Sequence, residues 1–162
     1  MTVNAIPSAV AANGVAYCMS GYQGALAVAI PLNSKGDVGN KVLWRFDKGT
    51  PYVPSPLLAG ERLYFTQANN PILTSLDIKT GRPGIERQRL PEITSFYASP
   101  VAAAGRVYLV GRDGTTVVIR QADKLEVLAT NRLDDPIDAS PALAGRQLFL
   151  RGEKYLYCIE AK

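Results

Sequence analysis

One short run of residues occurs four times in this chain. It reads SAVAANGVAYCM at 8–19, SPLLAGERLYFT at 55–66, SPVAAAGRVYLVG at 99–111 and SPALAGRQLFLRG at 140–152. The opening serines, Ser8, Ser55, Ser99 and Ser140, follow one another at intervals of 47, 44 and 41 residues. The turn glycines, Gly14, Gly60, Gly105 and Gly145, keep nearly the same place in each copy. A period in the forties with loops of variable length marks a repeat architecture, in which each unit covers the apolar face of its neighbour.

Each copy contains the same local signals. A short apolar run reaches a glycine turn, and a second apolar run with an aromatic residue follows. Such runs, bounded by Gly, Pro, Asn or Asp, are strand signals. The third unit spells them out: strand A at 99–104, B at 106–111, the turn RDG, C at 115–120 and D at 125–131. The second has A at 55–59, B at 61–66, C at 72–78 and D at 85–90. The first has A at 8–12, B at 15–20, C at 25–30 and D at 41–47. Four short antiparallel strands per forty-odd residues match one blade of a β-propeller. The expected fold is all-β, a propeller of four-stranded antiparallel blades at about 8–47, 55–90, 99–131 and 140–160. The fourth unit reaches strand C in EKYLYCIEAK and lacks its outer strand, while MTVNAIP reads as the connector into strand A. Four blades predict a half-propeller, as a fragment or as half of a homodimer, or else a small closed ring.

Composition excludes several functions. There is no histidine, which removes Ser-His-Asp and Cys-His catalysis, histidine-bearing zinc sites and the usual general base near neutral pH. The net charge of +4 comes from scattered Lys and Arg, not the clustered basic face of a nucleic-acid binder. No apolar stretch approaches the roughly 18 residues of a membrane-spanning helix. The opening MTVNAIPSAV lacks the basic and apolar regions of an export signal. Cys18 and Cys158 sit in apolar runs, AYCM and LYCI, and read as buried free thiols. Their places in the first and last units argue against a bridge within one subunit.

Further motifs carry a resemblance. Leu76-Asp77-Ile78-Lys79-Thr80-Gly81 follows the second strand C, and Trp44 stands in the first strand D within VLWRF. With the Ser-Pro openings, glycine turns and Val-Tyr strand, these units resemble the quinoprotein-type, PQQ-like propeller repeat, also found in the outer-membrane-assembly lipoprotein family. The chain looks like the C-terminal half of an eight-bladed bacterial propeller of that kind. In the resembled repeat the Trp fastens one blade to the next, so Trp44 is expected to be structural; the second unit has Ile85 in that place. The resemblance implies a periplasmic or secreted setting. Quinone-dependent alcohol and sugar dehydrogenases share the fold and hold the quinone and a calcium ion at the centre of one face. Their adjacent cysteine pair is absent here. The resemblance therefore implies a non-enzymatic scaffold without cofactor that binds a protein, peptide or glycan. The alternative is a fragment of a PQQ-dependent dehydrogenase.

In such a blade the D-to-A connectors and B-to-C turns share one face. Here that face collects GTPYVP, PEITSFYA and LDDPID with TQANNP and GRDG. Loops on a rigid scaffold are where binding residues concentrate. Tyr52, Asn69, Phe96, Tyr97, Arg112, Asp134, Asp135 and Asp138 are the candidates. Each also has a structural reading: Asp134-Asp135 suits turn initiation, and Arg112-Asp113 suits a hairpin tip. Asn33, Asp37 and Asn40 in NSKGDVGN lack the glutamate and oxygen spacing of known calcium loops.

Overall fold

The computed structural model describes residues 1–160, and among them the chain forms four antiparallel sheets, one per repeat. The first blade is β1 (Val10–Ala12), β2 (Val15–Ser20), β3 (Leu26–Pro31) and β4 (Trp44–Phe46). The second is β5 (Leu57–Ala59), β6 (Arg62–Thr66), β7 (Ile72–Asp77) and β8 (Gln88–Arg89). The third is β9 (Val101–Ala103), β10 (Arg106–Val110), β11 (Thr115–Arg120) and β12 (Val127–Arg132). The fourth has three strands, β13 (Ala142–Ala144), β14 (Gln147–Arg151) and β15 (Leu156–Glu160). Within each blade consecutive strands pair in chain order.

The turn glycines explain their own one-residue offsets. In the first and third blades both central turn residues, Asn13-Gly14 and Ala104-Gly105, have positive φ. That is a type I′ hairpin, whose twist matches the strands it joins. In the second and fourth blades the glycine stands first, as Gly60-Glu61 and Gly145-Arg146, and it alone has positive φ. That placement is the type II′ solution.

Strand alternation sends one set of side chains to each neighbouring blade. Tyr17, Tyr64, Tyr108 and Phe149 share one register, opposite Ala29, Ser75, Val118 and Cys158. Tyr17 packs with Leu63, Phe65 and Leu76 of the second blade. Tyr64 packs with Val107, Leu109, Val117 and Ile119 of the third, and its hydroxyl donates to the Ala122 carbonyl there. A sheet covered on both faces needs apolar residues at consecutive positions, which is the pattern its strands carry.

Trp44 is the docking residue of the first blade. It is buried, stacks on Tyr17, and its indole N–H donates to the carbonyl of Ile78 in the next blade at 2.9 Å. Its ring lies where a Gly81 side chain would begin, 2.7 Å from an ideal Cβ there, so the Thr80-Gly81 turn is its receptor. Ile85 takes the same role in the second blade. Its N–H and carbonyl bond to Ser75, in register with the Ala29–Trp44 pair, and its side chain is fully buried against the third. Strand D is shorter there than the 85–90 expected, because Arg87 adopts a positive φ and interrupts the ladder. In the third blade the register places Ala129 and Asn131 where the first has Trp44 and Phe46. The interface with the fourth blade is correspondingly underfilled. A cavity of about 380 Å³ opens between Tyr108, Thr116, Val118, Leu148, Leu150 and Ile159.

The repeated serines join the blades along the inner strands. The Ser8 N–H donates to Ser55 Oγ, Ser55 N–H to Ser99 Oγ, and Ser99 N–H to Ser140 Oγ, each at 2.9 Å. One residue per blade thus donates forward with its backbone and accepts from behind with its side chain. The blades form an open arc: β1 contacts β5, β5 contacts β9 and β9 contacts β13, but β13 does not meet β1. This corrects the closed four-bladed ring kept open by blade counting. It also corrects the expectation of buried thiols. Cys18 is half-buried and Cys158 exposed, both unpaired, because they lie on the outward faces of the two end blades.

Candidate functional site

One face of the arc is built by connectors crossing over turns. The connector after the first blade runs beside the B-to-C turn of the second, with Ala68 N–H donating to the Thr50 carbonyl and Tyr52 N–H to that of Ala68. The next does the same through Arg112 N–H to the Ser95 carbonyl, and the last through Glu153 N–H to that of Pro136. Asn4 bridges Tyr22 at the B-to-C turn of the first blade, there in antiparallel sense, so MTVNAIP is the corresponding connector for that blade. Such crossings need room. A Cβ at Gly21 would stand 2.1 Å from the Thr50 carbonyl oxygen, and one at Gly152 2.1 Å from Asp135 Oδ2. The glycine ending strand B, at Gly21, Gly111 and Gly152, is a repeat signal that sequence reading passed over.

The face carries a line of stacked aromatic and charged groups. Tyr52 stacks on Tyr22, with ring centroids 4.7 Å apart. Further along, the Arg112 guanidinium lies 4.0 Å over the Tyr97 ring. The same guanidinium donates two hydrogen bonds to Asp138, at 2.6 and 3.2 Å. That hydrogen-bonded carboxylate raises the Arg112 pKa above its usual value. Tyr97, Arg112 and Asp138 come from two connectors and the turn between them, so tertiary structure alone brings them together. Tyr22 and Tyr97 remain about 38% exposed. Asp134 is also exposed.

Three candidates serve the scaffold instead. Phe96 is 1% exposed, packed between the second and third blades with Leu90 and Ile93. Asn69 accepts the Val53 N–H on its side chain and the Phe96 N–H on its carbonyl, tying two connectors together. Asp135 is 1% exposed and accepts from the N–H groups of Lys154 and Tyr155 and from the Tyr157 hydroxyl. It anchors the turn of the fourth blade. Asp37 is likewise occupied, accepting the Gly39 N–H of its own loop. Among the described residues no three His, Cys, Asp or Glu side chains gather as metal ligands.

The Asp135 carboxyl has a consequence for pH. Burial pushes its pKa up, but hydrogen bonds from Lys154, Tyr155 and Tyr157 outweigh this and leave it below the usual value. A carboxyl with a lowered native pKa adds stability in full above its unfolded pKa of about 3.9. That stability is lost as pH falls through the native value. We expect thermal melts between pH 7 and 2 to show acid destabilisation beginning near pH 4, reduced in D135N, whose amide does not titrate.

Arranged this way, the face offers exposed ring surfaces and a guanidinium held in place, the means of stacking and hydrogen-bonded recognition. An arc of four-stranded blades, linked by inner-strand serines and topped by such connectors, defines a β-propeller repeat protein of the PQQ-like kind. The chain belongs to the family of outer membrane protein assembly factor BamB, whose family model matches residues 3–161. The crystal structure of BamB from Moraxella catarrhalis superposes with a TM-score of 0.74 at 16% identity, over 96% of this chain and 46% of that one. The computationally designed Ika8 protein gives 0.72 at 10% identity, over 94% of this chain and 45% of its own. The designed Ika4 protein gives 0.76 at 10% identity, over 100% of this chain and 94% of its own. The chain therefore spans about half the length of BamB and of Ika8, and nearly the whole of Ika4. No curated protein sequence matches it. Among the described residues no helix is long and apolar enough to cross a membrane.

Proposed function

We propose that this chain is a non-enzymatic propeller scaffold whose loop face holds a segment of a protein partner, in the periplasmic setting of outer-membrane assembly. The observation that carries the reading is the Tyr97–Arg112–Asp138 group, on the same loop face as the Tyr22–Tyr52 stack. Tyrosine and arginine dominate protein-binding surfaces because they offer large contact area at low entropic cost. The family membership supports a protein partner. A quinone and calcium site finds little support in the donor set, since Asp135 spends its oxygens on the fourth blade and Asp138 is held by Arg112.

The test is photo-crosslinking. A benzophenone amino acid at Tyr97 or Tyr52 is expected to give light-dependent protein adducts in the periplasm, and one at Thr80, on the opposite face, is expected to give none. Equal adducts from both faces, or none from the loop face, would overturn the assignment. So would adducts removed by glycosidase and resistant to protease. Titration with pyrroloquinoline quinone and calcium addresses the dehydrogenase alternative: saturable micromolar binding would sink the non-enzymatic reading.

A further inference from the structure

The junction of the second and third blades breaks the pattern of the first. Two residues before Tyr17 the first blade has Val15, packed against the cluster that holds Trp44. The same place before Tyr64 is Arg62, paired across the sheet with Asp77. With Ile85 standing for Trp44, two apolar residues of the first junction become an arginine and a smaller side chain. A cavity of about 420 Å³ opens beside Arg62, on the face opposite the connectors and between two complete blades. Its polar lining is Glu61, Arg62, Tyr64 and Asp77 from the second blade, with Gln121 and Asp123 from the third. That volume falls within the roughly 300–1,000 Å³ of small-molecule sites.

The groups around this cavity are held in place but only partly satisfied. The Arg62 side chain is 17% exposed; one terminal nitrogen donates to Asp123 Oδ1, and the other, Nη1, is buried without a partner. Two glycines leave room for the polar groups. A Cβ at Gly84 would stand 2.6 Å from Arg62 Nη1, and one at Gly60 2.7 Å from Gln121 Nε2. Asp77 accepts from the Lys79 and Thr80 N–H groups and the Thr80 hydroxyl, all on Oδ1, which leaves Oδ2 open. Burial pushes the Asp77 pKa up, but these hydrogen bonds outweigh it and hold the carboxyl below its usual value, ionised at neutral pH. A half-satisfied buried arginine costs stability that the valine of the first blade does not. A position that breaks its own repeat at such a cost is where function is expected.

We propose that this cavity binds a neutral, polyhydroxylated ligand, a small saccharide. Charge decides the class. Three carboxylates, Glu61, Asp77 and Asp123, repel an anion, and the Arg62 guanidinium among them repels a cation. Glu61 is paired with Lys79 and Asp123 with Arg62, so the local charge nearly balances. Hydroxyl groups suit such a lining, because each donates to a carboxylate and accepts from a guanidinium or an amide. Asp77 Oδ2 and Asp123 accept from the sugar's hydroxyls, and the Gln121 amide donates to them. The site is separate from the loop face, and its ligand does not depend on the partner held there.

The experiment is an amide NMR titration of the full chain with the neutral disaccharides maltose, lactose and diacetylchitobiose, and with spermidine and citrate as charged probes, each to about 20 mM. At least one disaccharide is expected to give saturable shifts centred on Arg62, Asp77, Gln121 and Asp123, and the charged probes none there. Arg62→Val repeats the choice of the first blade. It is expected to melt at or above the wild-type temperature and to bind more than tenfold more weakly, from the loss of a charged hydrogen-bonding group. Gln121→Ala removes only a turn side chain, and about fivefold weaker binding is expected. Three results would overturn the proposal: no saturable shift with any of the disaccharides, tighter binding of spermidine or citrate, or wild-type affinity in both variants. Crosslinking through Tyr97 is expected to be unchanged in Arg62→Val, so either site can fail its test while the other stands.

Discussion

Trp44→Ala is expected to cost about 3–5 kcal/mol, the range for deleting a large buried aromatic side chain. The reasons lie on both sides of the first junction. The indole is 8% exposed, stacks on Tyr17 and fills the space above Gly81. Its N–H satisfies the Ile78 carbonyl, which the variant leaves without that donor. In an array whose units touch only their neighbours, the loss stays local. The first blade is therefore expected to loosen while the second and third hold. Hydrogen exchange is the measurement: amides of β2 and β3 lose protection in the variant, and those of β10 and β11 keep it. Trp44→Phe retains ring packing without the N–H, and its loss is expected to be smaller. Equal exchange across all blades in Trp44→Ala would refute the docking role.

Gly114→Ala is the second large effect, expected at about 3 kcal/mol or more from backbone strain and collision. Gly114 has φ +81, a conformation that disfavours any side chain. A Cβ there would stand 2.3 Å from the Leu133 carbonyl oxygen and 2.6 Å from that of Asp135. Neither carbonyl can retreat easily. The Leu133 N–H donates to Gly114 itself, and the Asp135 side chain is buried and bonded to Lys154, Tyr155 and Tyr157. The collision is therefore transmitted to the fourth blade, whose interface is already underfilled. We expect a fall in melting temperature of about 6–12 °C, using 2–4 °C per kcal/mol for a chain of this size, with β14 and β15 the first to exchange. A melt within about 1 °C of wild type would show that the connector has slack that its hydrogen bonds do not suggest.

How much of this was legible in the residues varies by feature. The blades were legible because their cause is local: strand propensity, glycine turns and a repeat period. Trp44 was legible as a docking residue through the resemblance, and Ile85 as its substitute by position. The serines were noticed only as markers of the period, and their forward-donating ladder appears once the inner strands stand side by side. Among the candidates, Tyr52, Tyr97, Arg112 and Asp138 were named as loop residues without their partners. Their stacking and ion pairing join residues 15 to 30 positions apart, on different connectors and turns, which no local pattern encodes. Phe96 and Asp135 look alike in sequence to their exposed neighbours Tyr97 and Asp134. Which of two adjacent residues turns inward is set by how the connector crosses the next blade. The terminal glycines Gly21, Gly111 and Gly152 carried that information, because only a residue without a side chain lets the crossing come so close.

The sequence alone determined that the chain repeats a four-stranded unit, where each turn falls and which faces are apolar, since these follow from backbone sterics and the two-residue period of a strand. Tertiary structure decided that the arc stays open, that the third interface is underfilled, and that an arginine, a tyrosine and an aspartate meet on one face. Those outcomes depend on the angle and register at which whole blades pack, a sum of many weak contacts between distant residues.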